Sequence, residues 1–356
     1  MEQRDAKYLI AYLLPLSAYF AIYQGGIWAY SALYLGFIFI PLVELFARRS
    51  VENHAPEEEE ERKRAPFFDY LLYFNIPVVY GLVGYYLYTL HQGGLQTYEV
   101  TGMTLSVGLI LGTAGINVAH ELGHRSTAYE RLMAKVLLLP ELYTHFIIEH
   151  NLGHHKHVAT PEDPATARRG ELIYTFWFRS VLGGYRNAWR LEAERLRKSG
   201  KAVLSPANEM IRFTVLQLAY LAAIGLLFSW SLVPFGVAIA VIGFLMLESV
   251  NYIEHYGLQR AKKPSGRYER VGPQHSWNSD HELGRIFLYE LTRHSDHHFK
   301  ASRKYQILRH HQESPQLPTG YPGAILLSLV PPAWFWVMNP RVDRFNQQLQ
   351  RPQYAA

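Results

Sequence analysis

The sequence predicts an all-α, polytopic membrane protein carrying a helical, histidine-rich cap, and three observations support that reading. Six stretches of 16 to 23 residues are largely apolar, close to the roughly 20 residues that a bilayer core demands of a helix. The short links near residues 24, 91 and 231 contain no Lys or Arg, whereas the other inter-span segments are rich in both signs of charge. Seventeen histidines are present, and most gather in short clusters at the ends of apolar runs. The mean hydropathy of −0.08 reads as soluble only because long uncharged runs alternate with charged ones.

The first pair of spans occupies 8–23 and 27–47, separated by Gln24-Gly25-Gly26, a link short enough to force a helical hairpin. The second pair is 68–90 and 100–119, joined by HQGGLQTYE, and the third is 211–230 and 232–250. The first and last runs are short, so their assignment leans on pairing with a neighbour. The run EEEEERKR at 57–64 reads as a solvated linker. Residues 132–148 are apolar but broken by Pro140 and bear Glu141 and His145, which predicts a helix packed on the membrane face rather than a seventh span. The same holds for 321–338, interrupted by Pro331-Pro332. Lys and Arg accumulate on the cytoplasmic side of membrane proteins. The placement of Arg48-Arg49 and of the charge-rich segments therefore predicts cytoplasmic termini and a cytoplasmic cap built from 120–210 and 251–356. Residues 1–356 read as one membrane-embedded domain. The start MEQRDAK, followed by an apolar run without a small-residue cleavage site, shows no signal peptide.

The chain has no cysteine, which excludes disulfides, thiolate zinc sites, iron–sulfur clusters and catalytic thiols together. Any metal must be held by His, Asp or Glu. A net charge of +5 and a pI near 9.1 fit a basic cytoplasmic face or a nucleic-acid binder. No nucleic-acid module is recognisable, which favours the first and predicts no nucleic-acid partner.

Four histidine motifs remain. HELGH places His120 and His124 four apart, on one face of a helix leaving the fourth span. EHNLGHHKH gives His150 and His154 the same spacing, with His155 next door. NYIEHYG carries His255 at the end of the sixth span, and LTRHSDHHF gives His294 and His298 four apart with His297 beside them. Adjacent helical residues point about 100° apart, so the doublets 154/155 and 297/298 suggest two metal centres. In that scheme His150 and His154 pair on one face and His155 turns to the other ion. These nine histidines suffice for two ions at about four to six ligands each, whereas four saturate a single zinc. A lone histidine beside an apolar run is ordinarily a packing residue; nine beside membrane spans, where ionisable groups are costly, do not fit that role. Imidazole suits Fe, Zn, Cu and Ni alike. A zinc protease, with Glu121 as base of HExxH, would leave three clusters without a role, and a metal carrier would need polar residues along the spans. Glu121, Glu149, Glu254 and Asp296, with Asp163 and Asp280, are candidates to accept from the second ring nitrogens. His157 lies outside the motif.

Taken together, HELGHR, EHNLGHHKHVATPEDPA, NYIEHYG and LTRHSDHHF resemble the histidine boxes and HYG motif of the bacterial integral-membrane alkane 1-monooxygenases, over about residues 10–310. The boxes alone are shared with membrane fatty-acid desaturases and xylene monooxygenases, which stand as the alternative on the same scaffold; NYIEHYG narrows the resemblance. It departs only at Arg125, where the family usually has Lys, and at Thr292, where it has Gln. The resemblance implies a non-haem di-iron centre that hydroxylates the terminal methyl of a medium-chain n-alkane with O₂. The implied iron ligands are His120, His124, His150, His154, His155, His255, His294, His297 and His298. It also implies a bacterial inner-membrane location and electrons from rubredoxin, reduced by an NADH-dependent rubredoxin reductase. With no cysteine to hold a rubredoxin iron, the donor must be a separate protein. Arg168-Arg169, Lys262-Lys263 and Lys300 are basic residues able to steer an acidic donor. An alkane offers no polar handle, so a narrow apolar channel must set its orientation.

Overall fold

Proline and glycine punctuate a succession of helices in a computed structural model that describes residues 3–47 and 49–349. Arg48 lies outside the described residues. Helix α1 (Asp5–Gln24) stops at Gly25, whose φ of 60° suits a residue without Cβ, and α2 (Gly26–Glu44) follows at once. Helices α3 (Pro56–Arg64) and α4 (Pro66–Gln92) each begin on a proline, where a missing N–H costs nothing. A capping box at Gln96 and Glu99 starts α5 (Thr97–Gly123). Glu99 also accepts the Gly26 N–H at 2.6 Å, tying the first hairpin turn to the start of α5.

Next come α6 (Ala128–Leu137), α7 (146–157), α8 (Ile173–Lys198), α9 (Glu209–Leu227) and α10 (Trp230–His255). The chain then passes through α11 (Glu282–Phe287) and α12 (His294–Phe299). It closes with α13 (Tyr321–Ser328) and α14 (Pro331–Leu349). No strand forms among the described residues, only isolated bridges such as Arg49 with His281.

Helices α1, α2, α4, α5, α9 and α10 are long and apolar enough to cross a membrane, in agreement with the six expected spans. The two that carry motif histidines run several residues past the expected ends: α5 continues through His120 to Gly123, and α10 continues to His255. The stretch 132–148 is broken, as expected, into α6, a turn through Pro140, and the start of α7. Helices α13 and α14 likewise meet at 118° around Pro331-Pro332.

Helix α5 is the axis of the bundle: 83% of its apolar window is buried, against 22–39% for the other five. It packs on α10 through a seam of small residues. A Cβ at Gly108 would meet Ile242 at 2.6 Å, and one at Gly112 would meet Met246 at 2.7 Å, so the backbones approach too closely for any side chain there.

The acidic-basic run 57–64 departs from expectation. It is helix α3 rather than a solvated linker, and its one inward face buries Glu59 and Arg62. Arg62 pairs with Asp5 and donates to the Gln306 carbonyl at 3.2 Å, while Glu59 takes Arg309 at 2.5 Å. The charges are legible in the sequence; that two of them share a face turned to the cap is not.

Candidate metal centre

Helix geometry delivers all nine motif histidines to one place. The C-terminal end of α5 carries His120, with His124 just beyond it; α7 carries His150, His154 and His155; α10 ends on His255; α12 opens with His294, His297 and His298. They form two groups that can each hold a metal ion: His120, His124, His150, His155 and His297, and His154, His255, His294 and His298. His157 is half-buried beside Glu162, at 3.7 Å, and belongs to neither.

The allocation within α7 differs from the expected one. The i,i+4 spacing places His150 and His154 on one face, yet His150 joins His155 and His154 goes to the other group. The cause is a π-helical turn over His150–His154, whose wider ring brings residues five apart onto one face. A second π-helical stretch, Leu111–Asn117, lies just before His120.

The nitrogen geometry calls for cations. In the five-histidine group, Nε2 of His120 lies 2.8 Å from that of His297, which is 3.1 Å from His155. His155 is in turn 3.0 Å from His150, and His150 is 3.1 Å from His124. Each ring nitrogen has one in-plane position, holding either a proton or a lone pair, so a nitrogen in this chain cannot both donate and accept. A shared cation removes the conflict. With metal–nitrogen bonds of roughly 2.0–2.1 Å, ligands at right angles stand about 3.0 Å apart. The four-histidine group repeats the pattern, with His294 at 3.2 Å from His255 and 2.9 Å from His298. In the same group, His154 Nε2 is buried without a hydrogen-bond partner among the described residues.

Charge fits as well. Burial pushes the His124 imidazole down to about 4. Burial first, and neighbouring imidazoles second, hold His150, His155, His294, His297 and His298 well below the usual range. These rings are therefore neutral, as ligation requires. His154 is the exception. Burial presses it down, but the Asp163 carboxylate 2.9 Å from Nδ1 more than offsets this and raises it. That is the arrangement in which a carboxylate fixes a ligand's tautomer and strengthens its other nitrogen.

Of the six carboxylates, only two touch a grouped histidine. Asp163 does so at His154, and Glu254 reaches His294 Nε2 at 3.1 Å while accepting from Tyr321 at 2.6 Å. Glu121 turns to Arg125 at 2.9 Å and accepts the Tyr305 N–H, so it is engaged elsewhere than the base of an HExxH protease would be. Glu149 accepts from Asn187, Asp280 pairs with His310, and Asp296 is held by Arg303 and by His311 at 2.8 Å. Tyr321 has no sequence signal, standing far from every motif.

Against this polar cage lies an apolar cavity. Its wall is drawn from Leu14 on α1, Phe37 and Ile40 on α2, Leu109 on α5, and Met246 and Val250 on α10. It ends on His120, His150 and His294, with Asn117, Asn251 and Glu254 beside them. From Leu109 to His120 the lining runs along α5 for about 16 Å at 1.5 Å per residue.

A membrane bundle whose spans carry buried imidazoles to two adjacent donor groups defines a membrane metalloenzyme of the desaturase and hydroxylase type, and the fatty acid desaturase family model matches residues 97–326. Relatives narrow this. The alkane 1-monooxygenase 2 of Pseudomonas aeruginosa is 39% identical over 95% of this chain and 91% of its own length. An alkane 1-monooxygenase of Pseudomonas putida is 40% identical over 85% and 75%. The xylene/toluene monooxygenase hydroxylase component of Pseudomonas putida is 29% identical over 96% and 90%. The chain belongs to the alkane 1-monooxygenase family, and it is a multi-pass membrane enzyme.

Proposed function

We propose that this single-domain protein hydroxylates the terminal methyl group of medium-chain n-alkanes, using O₂ at a centre of two iron ions held by the nine histidines. The observation that carries the reading is the apolar cavity that ends on histidines of both donor groups. Bound iron would supply O₂ binding and the two-electron chemistry of hydroxylation, and the chain's own residues do the rest. The aliphatic and aromatic wall holds a substrate that has no polar handle, so shape alone selects which carbon reaches His120, His150 and His294. The same wall keeps water from the reacting end. Tyr321 fixes the Glu254 carboxylate at the boundary between cavity and cage.

In this reading electrons come from a separate rubredoxin, since the chain has no cysteine, with its NADH-dependent reductase upstream. The cap and both termini face the cytoplasm across the inner membrane, following the Lys and Arg distribution. Arg169 is engaged by Asp343 at 2.7 Å, which leaves Arg168, Lys262, Lys263 and Lys300 as the basic residues to probe for donor docking.

The purified protein should contain about two irons and convert octane to 1-octanol with rubredoxin, its reductase and NADH. Stoichiometric zinc with peptide cleavage, or preferential turnover of acyl or xylene substrates in a side-by-side product panel, would overturn it.

A further inference from the structure

Glu141 is fully buried, and neither carboxylate oxygen has a hydrogen-bond partner among the described residues. Burial alone drives its carboxyl well above the usual range, as a charge left unpaired there is costly. The carboxyl is wedged into the end of the α5–α10 seam. A Cβ on Gly115 of α5 would fall on Oε1, and a Cβ on Gly243 of α10 would fall on Oε2. Gly115 lies inside the π-helical stretch Leu111–Asn117, and His120 follows it by five residues on the same helix. The backbone beside Glu141 is strained too, with Leu142 held at φ 52°. Buried unpaired groups and strained backbone persist only where the surroundings over-determine them.

We infer that Glu141 is a positioning residue for the metal centre: its carboxyl is a strut that spaces the two spans bearing His120 and His255, and the glycines at 115 and 243 are the sockets that receive it. Polar groups inside a membrane bundle are costly to keep, and a plain apolar plug would fill the same seam without that cost. A carboxyl does what an alkyl group of that size does not: it is flat enough to enter two glycine sockets at once. The inference rests on the two-group metal reading, because its consequence is felt at the histidines.

The test is a double-mutant cycle on the full-length protein, read by Co(II) affinity and by the ligand-field bands of bound Co(II). Within 4 Å, a Cβ at Gly115 meets only Glu141. Gly115→Ala and Glu141→Ala should therefore each weaken Co(II) binding by roughly tenfold or more and shift the bands. The double variant should be no worse than Glu141→Ala alone, since the new methyl then has room. Glu141→Gln, which keeps the flat shape, should restore binding. If Glu141→Ala lowers Tm but leaves affinity and bands as in the wild type, the residue is structural only and the inference fails. Should Glu141→Ala not accumulate in the membrane, Gly115→Ala displaces the carboxyl without removing it, and unchanged affinity and bands in that variant overturn the inference equally. A wild-type protein that takes up no metal would instead overturn the metal-centre reading itself.

Discussion

The four-histidine group is wholly buried, with Asp163 behind His154 at Nδ1 and Glu254 on the Nε2 that His294 turns toward its neighbours, whereas the five-histidine group keeps His124 and His155 partly open. Among the described residues, the five-histidine group has no carboxylate on a ring nitrogen. The first group is closed and charge-compensated; the second has more donors and a way in from outside. The difference teaches that two neighbouring donor groups can be given unequal environments although both draw on α7 and α12, with α5 completing one and α10 the other. It also predicts that they will respond unequally to the same perturbation.

The largest effect should come from His294→Ala. His294 stands between His255 and His298 and also faces the cavity. Metal content should fall from two ions to one and alkane hydroxylation should drop below detection. Retention of two ions would break the division into groups. Acid probes the ground between the two groups. His145, packed between Tyr143 and Tyr185, lines one small cavity with His150 and His154 and is lowered to about 4 by burial. Below its unfolded pKa of about 6.5 the unfolded chain binds the proton first. The metal-free protein should therefore lose about 3 kcal/mol of stability from this residue as pH falls from 6.5 to 4. His145→Phe should flatten that limb of the unfolding profile.

Asp163→Asn should weaken metal binding by roughly 10–100-fold in the four-histidine group alone. Metal titration followed by spectroscopy separates the two sites, and an equal loss in both would refute the asymmetry. The smallest effect belongs to His157→Ala, which should keep nearly full activity while His155→Ala loses it.

The spans are legible in the sequence because length and apolarity are summed over many residues. The nine histidines are legible because little besides metal binding repays the cost of so many ionisable groups beside membrane helices. What is not legible depends on single turns of backbone. Spacing places His150 with His154 because it presumes 3.6 residues per turn, and a π-helical turn breaks that presumption. Helix α3 reads as a linker because a charge run does not reveal that Glu59 and Arg62 have partners far along the chain. Glu141 reads only as an interruption of an apolar run, since its sockets at Gly115 and Gly243 lie in other spans.

The turn at His150–His154 has a further consequence for how this segment can change. Leu152 is exposed, so its identity is weakly constrained, and Asn151 is half-buried and donates to the Gly123 carbonyl at 3.2 Å, but it is the number of residues here that the two groups depend on. Deleting either would restore an ordinary turn and move one imidazole out of its donor group, leaving one group a donor short and crowding the other. The loss would resemble removal of a ligand although every histidine remained. Along this stretch the information is carried by length rather than by letters, and a substitution scan would pass over the position where a single-residue deletion is most damaging.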